Sequence, residues 1–189
     1  MQHEVLAACL GYPGNIIRDE EKVSGAFRVS AAAANSFLSK AEVEIINKTV
    51  KLGFHYRLLL RFSKGQPLQH TATAACTPQR DSLYLRALRA AVEEVLLEYG
   101  SRVAQTEQEL LKDSSLPVSY IYHSLRDYLP VFEAVAAVCQ SAQTVRGGQL
   151  LLLLYSQSRF GAPAVRARLL RLLWHCHQVL RNATKKRMF

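Results

Sequence analysis

The chain has 189 residues, 49% of them hydrophobic and 21% charged, a balance that excludes an intrinsically disordered protein and allows one respectable core. Its net charge is +9, yet residues 1–133 carry 15 acidic and 15 basic side chains. The whole excess therefore belongs to residues 134–189, which hold nine basic residues and no acidic one.

The longest apolar run, Leu150 to Tyr155, is far short of the roughly 20 residues that a membrane helix requires. The first segment carries His3 and Glu4 and meets a turn where a secretory signal would have a small-residue cleavage site, which points to the cytosol. Cys9, Cys76, Cys139 and Cys176 are scattered without finger spacing, and three of them fall on apolar helix faces. Buried thiols in a reducing compartment are the reading that follows.

In chain order, Val5, Leu6, Cys9 and Leu10 recur at helical spacing, and Gly11-Tyr12-Pro13-Gly14 stops that helix hard. Residues 15–36 show no sustained period, which predicts a loop with a short strand over 15–18. Ser39 with Glu42 three residues on makes a capping box and opens a helix to about residue 62. Its buried stripe is read as Val43, Ile46, Val50, Phe54 and Leu58. Residues 63–80 are polar and small with two prolines, hence a surface loop. Tyr84, Leu88, Val92, Val95, Tyr99, Val103 and Leu110 then keep a 3.6-residue period through 82–111. At 1.5 Å per residue that is a helix of roughly 45 Å.

Leu116-Pro117 starts another helix, which Pro130 kinks or splits near Tyr128-Leu129. Gly147-Gly148 and Gly161-Ala162-Pro163 punctuate the last two helices, the second running from residue 163 to about 180. The sum is an all-α, elongated helical bundle of about six or seven helices with no convincing sheet. The periodic stripes assign Leu6, Val50, Phe54, Leu88, Val92, Val95, Leu125, Leu152, Leu169 and Trp174 to the core.

Little in the chain suggests chemistry. His175-Cys176-His177 is the one cluster that invites a metal reading, but side chains two apart on a helix diverge by about 200° and no second cluster supports it. No phosphate loop, nucleophile elbow or H-E-x-x-H pair is found, so no catalytic residue, cofactor or metal is assigned. Acidic pairs such as Glu93-Glu94 share a helix with Arg86, Arg89 and Arg102 and read as a solvated face. Tyr120, Tyr122, Arg126 and Tyr128 crowd one segment, and Arg166, Arg168 and Arg171 lie on the last helix. Tyr and Arg are the residues that anchor protein contacts, which makes these seven the candidate protein interface. The basic end lacks an interleaved aromatic platform, which disfavours nucleic acid.

Four blocks also carry a family resemblance. HEVLAACLGYPG at residues 3–14 resembles the opening of the gamma-tubulin complex component family, also known as the spindle pole body component family. SLYLRALRAAVEEVLLEYGSRVAQTEQELL at 82–111 is similar to the family's long helix, and SLPVSYIYHSLRDYLPVFEAV at 115–135 to the helix after it. GGQLLLLLYSQSRFGAPAVRARLLRLLWHCHQVL at 147–180 resembles the paired helices around a G-x-P-x-V-R turn.

The resemblance implies that residues 1–180 are part of an N-terminal GRIP-type helical domain. Residues 181–189, where the sequence departs from the family, read as a basic divergent tail. It implies a structural role in microtubule nucleation, through lateral packing with other complex components, in the cytoplasm and cytoskeleton at microtubule-organising centres. The family's C-terminal GRIP domain, which binds gamma-tubulin, has no counterpart in this sequence, so gamma-tubulin is expected to be reached only indirectly. The alternative is a free-standing basic helical adaptor or a nucleic-acid-binding protein, and the latter would show affinity that falls steeply with salt.

Overall fold

In the computed structural model, the structure describes residues 1–19, 26–36, 38–66, 82–145 and 147–188. Among them lie eight helices and one small sheet: α1 Gln2–Cys9, β1 Ile17–Asp19, β2 Phe27–Val29, α2 Ala31–Ser36, α3 Lys40–Ser63, α4 Leu83–Lys112, α5 Val118–Leu125, α6 Tyr128–Ala142, α7 Gly148–Ser158 and α8 Pro163–Met188. The all-α reading holds, with one helix more than the sequence suggested. Most of residues 63–80, read above as a surface loop and including Cys76, lies outside the described residues.

The chain divides into two compact units, one of Met1–Arg57 with Leu97–Phe132 and one of Leu58–Leu96 with Glu133–Phe189. In the first, α1 ends as its sequence requires. Gly11 adopts a left-handed φ of 86°, the Gly11 amide donates to the Ala8 carbonyl at 2.9 Å, and the Tyr12 amide donates to that of Ala7 at 3.0 Å. These two bonds are a Schellman cap, satisfying carbonyls that a helix end otherwise leaves without partners. The Glu4 carboxylate accepts the Ile16 amide at 2.5 Å and the Ile17 amide at 3.4 Å, which fixes β1 beside the helix.

β1 and β2 pair antiparallel with Ile17 opposite Val29, Arg18 opposite Arg28 and Asp19 opposite Phe27. The short strand predicted over 15–18 overlaps β1, whereas β2 and α2 correct the loop predicted for the residues after it. Strands of three residues are too short for alternation to show, and α2 follows from an N-cap in which the Ala33 amide donates to Ser30 Oγ at 3.3 Å. Arg57 of α3 clamps this hairpin: its guanidinium lies 4.5 Å from the Phe27 ring centroid and donates to Asp19 Oδ2 at 2.6 Å.

The capping box at the start of α3 is present, with the Glu42 amide donating to Ser39 Oγ at 3.2 Å and the Ser39 amide donating to Glu42 Oε2 at 2.9 Å. Ile46 and Val50 of the predicted stripe are buried, while Val43, Phe54 and Leu58 are only half-buried. Phe54 sits at the rim, edge-on to Phe27 at 6.1 Å. The reason is Gly53, which turns the closest approach of α3 toward α1: a methyl at Gly53 would overlap the Ala8 carbonyl oxygen and lie 3.1 Å from Cys9 Cα.

In this first unit α4 supplies the buried Tyr99, Val103, Thr106 and Leu110, and α5 supplies Val118, Ile121 and Leu125. The Tyr99 hydroxyl donates to the Cys9 carbonyl at 3.2 Å, and its ring packs against Tyr56, Tyr128 and Phe132 at 4.8–5.6 Å. The break between α5 and α6 falls at Arg126-Asp127, two residues before the predicted position. Pro130 is the third residue of α6, in the first turn, where a missing N–H costs no helical hydrogen bond.

In the second unit, α7 and α8 pack directly against each other. Leu88, Val92 and Val95 of α4, Val135 and Cys139 of α6, Leu150 and Leu154 of α7, and Leu169, Leu172 and Cys176 of α8 are buried. Two core assignments are corrected here. Leu152 is 68% exposed because it lies about 200° around α7 from Leu150, a face that an unbroken leucine run does not reveal. Trp174 is 51% exposed because Leu169, Leu172, Leu173 and Cys176 occupy the inward side of α8. That helix also continues past residue 180 to Met188, since no Gly or Pro follows Leu180 to stop it.

Two glycines give a paired test. Gly53→Ala should lose about 1–3 kcal/mol through overpacking, whereas Gly100→Ala, at a position in α4 with nothing within 4 Å, should gain about 0.4–1 kcal/mol. Denaturant melts of both variants check the pair, and equal effects would contradict the α1–α3 crossing.

Candidate protein interface

Tyr120, Tyr122, Arg126 and Tyr128 fall in the first unit. Val118, Ile121 and Leu125 turn one side of α5 inward, leaving Tyr120 and Tyr122 half-buried on its flanks. The Tyr120 hydroxyl donates to Glu109 Oε2 at 2.6 Å, and that carboxylate, by opposing a phenolate, raises the phenol pKa. Tyr128 is half-buried against Tyr99 and Phe132, with ring centroids at 5.2 and 6.2 Å. These two rings fasten α4 to α5 and α6. Tyr122 and the exposed Arg126 stand four residues apart, hence on one face, with Arg126 Nε 3.7 Å from Asp127 Oδ1.

Arg166, Arg168 and Arg171 fall in the second unit. Arg171 donates from Nη2 to Glu94 Oε1 at 2.7 Å, and its guanidinium lies 5.3 Å from the Trp174 ring centroid. His175 Nε2 meets the other carboxylate oxygen, Glu94 Oε2, at 2.7 Å. One carboxylate of α4 thus holds two consecutive turns of α8. Arg168 is half-buried, and Arg166 is exposed beside a shallow cleft formed with Gly161, Pro163, Ala167 and Leu170.

The Glu94 contact was not legible locally, because its partner is 77 residues away and Glu93-Glu94 reads as a solvated pair. The His175-Cys176-His177 cluster separates as helical geometry requires: His175 turns to Glu94, Cys176 is buried with Sγ 3.8 Å from the Tyr84 carbonyl, and His177 is exposed. Among the described residues no group of three or more His, Cys, Asp or Glu converges as a metal site would require. None of the described helices is long and apolar enough to cross a membrane. Burial pushes the Cys9 thiol up to about 12 and the Cys176 thiol up to about 11, and raises Cys139 as well. All three therefore stay protonated, the opposite of what a nucleophile needs.

The Arg171 hydrogen bond holds the Glu94 carboxyl below its ordinary range, against an opposing push from desolvation and with a further lowering from His175. A carboxyl whose folded-state pKa is depressed contributes stability that is present above the unfolded value and lost as pH falls through the folded one. Glu94→Gln should therefore lower stability at neutral pH by no more than about 1 kcal/mol, the scale of an exposed pair. The gap to wild type should close as pH falls below 4.5. Melting curves over that range check it, and a gap that persists in acid would contradict the assignment.

Comparison with known proteins gives one family. The family model for the gamma tubulin complex component N-terminal region matches residues 3–188. The chain is 32% identical over 199 residues to Gamma-tubulin complex component 4 homolog from Medicago truncatula, covering 96% of this chain and 27% of that protein. Gamma-tubulin complex component 4 of Mus musculus is 30% identical over 187 residues, and that of Homo sapiens 29%, each covering 95% of this chain and 27% of the relative. The chain thus spans little more than a quarter of the length of these relatives. On these matches, which extend over nearly every residue in which the fold has been described, the chain belongs to the gamma-tubulin complex component N-terminal family.

Proposed function

We propose that this chain is a structural component of the gamma-tubulin complex and contributes to microtubule nucleation by lateral packing with other complex components. The observation that carries the reading is the family match over residues 3–188. A scaffold role is consistent with buried thiols held neutral and with polar contacts, such as Glu94 to Arg171, that join helices together. The reading places the chain in the cytoplasm at microtubule-organising centres, in contact with gamma-tubulin only through its neighbours. Residues 1–180 act in it as part of an N-terminal GRIP-type domain, followed by the basic segment 181–189. Of the seven candidate interface residues, Tyr122, Arg126 and Arg166 are the ones whose positions suit a partner. Tyr120, Tyr128, Arg168 and Arg171 are already engaged within the chain.

The tagged chain, recovered from cell extract, should bring down other gamma-tubulin complex components, and Tyr122→Ala combined with Arg126→Ala should weaken that recovery. Purified gamma-tubulin alone should not bind it at micromolar concentration. Direct binding of gamma-tubulin, or recovery without any complex component, would overturn the reading.

A further inference from the structure

Helix α8 has a second apolar face. Val165, Leu169, Leu172, Leu173 and Cys176 are buried within the second unit. On the opposite side Pro163, Ala167, Leu170 and Trp174 follow one another at spacings of four, three and four residues, and all four are exposed, Trp174 by 51%. That alternation is the a/d spacing of a coiled-coil seam, continued over three turns. In the same register Arg166 falls at a g position and Arg171 at an e position, the two places whose charges choose a partner. Gly161, Pro163, Arg166, Ala167 and Leu170 line a shallow cleft of about 310 Å³ on this face.

We infer that this outer face of α8 docks an amphipathic helix with acidic flanks, its apolar seam on Leu170 and Trp174 and its carboxylates beside Arg166. Charge selects this occupant. Residues 134–189 carry nine basic residues and no acidic one, so a second copy of α8 laid on the first would set arginine against arginine. An acidic helix instead meets a complementary charge at the Arg166 flank. Arg171 is partly held by Glu94, so Arg166 supplies most of the discrimination. The seam is read from α8 alone and goes beyond the assembly reading.

Trp174 is the only tryptophan of the chain, so its emission reports on the seam in the intact protein. The probe is a synthetic three-heptad helix with Leu at a and d and Glu at e and g. It should shift Trp174 emission to the blue and saturate, and the same helix with Lys at e and g should bind at least about tenfold more weakly. Leu170→Glu and Ala167→Glu, both at exposed positions and so compatible with folding, should each weaken binding of the acidic helix by about tenfold or more, and Arg166→Ala should do so less. Circular-dichroism melts establish that the variants fold. Equal response to the two peptides, indifference to both seam variants, a larger shift with phosphatidylserine vesicles, or a dimer by sedimentation without peptide would each overturn the inference. No complex component enters this titration, so its failure leaves the assembly reading standing, and the converse holds.

Discussion

The close crossing of α1 over α3 is the constraint on which the first unit depends. With no side chain at Gly53, the backbone of α3 comes against the Ala8 carbonyl and Cys9 Cα, nearer than any other residue would permit. Such an approach brings the polar end of α1 into the interior, where each carbonyl must find a donor or cost free energy. All four last carbonyls do: Leu6 takes the Leu10 amide, Ala7 that of Tyr12, Ala8 that of Gly11, and Cys9 the Tyr99 hydroxyl. Tyr99 thereby links α4 to the end of α1, and its ring organises Tyr56, Tyr128 and Phe132 around it. Burial holds that phenol well above its usual range, so it remains a donor.

The second unit is held differently. Its core is mainly aliphatic, with the Phe62 ring buried in it, and its distinctive polar contact lies near the surface, where Glu94 ties α4 to Arg171 and His175 of α8. An exposed tie of this kind adds little stability but fixes which face of α8 points outward. The consequence is the outward face of α8. With Leu169 and Leu172 inward and Arg171 held to the side, the stripe through Leu170 and Trp174 is presented to solvent.

Much of this was readable because local chemistry is strong where the chain is punctuated. The Gly11 cap, the Ser39–Glu42 box and the Pro163 start all occur where the residues require. What could not be read has a physical cause in each case. A three-residue strand such as β2 carries no period, and a run of five leucines in α7 has no polar residue to mark its outer side. The periodic stripe takes in Trp174, although α8 already holds enough leucines to fill the inner face. Of the candidate interface, the residue types were legible but their engagement was not. Nothing near Tyr120 or Arg171 in sequence discloses Glu109 or Glu94 as partner.

Hydrogen exchange on the intact chain tests the central claim, that α1 is locked by Gly53 and Tyr99 and is no loosely attached end. The amides of residues 5–10 should be protected to the same order as those of residues 99–103 in α4, and Tyr99→Phe should selectively speed exchange in α1. Free exchange of α1 in the wild-type chain, or exchange in α1 unchanged by Tyr99→Phe, would contradict it.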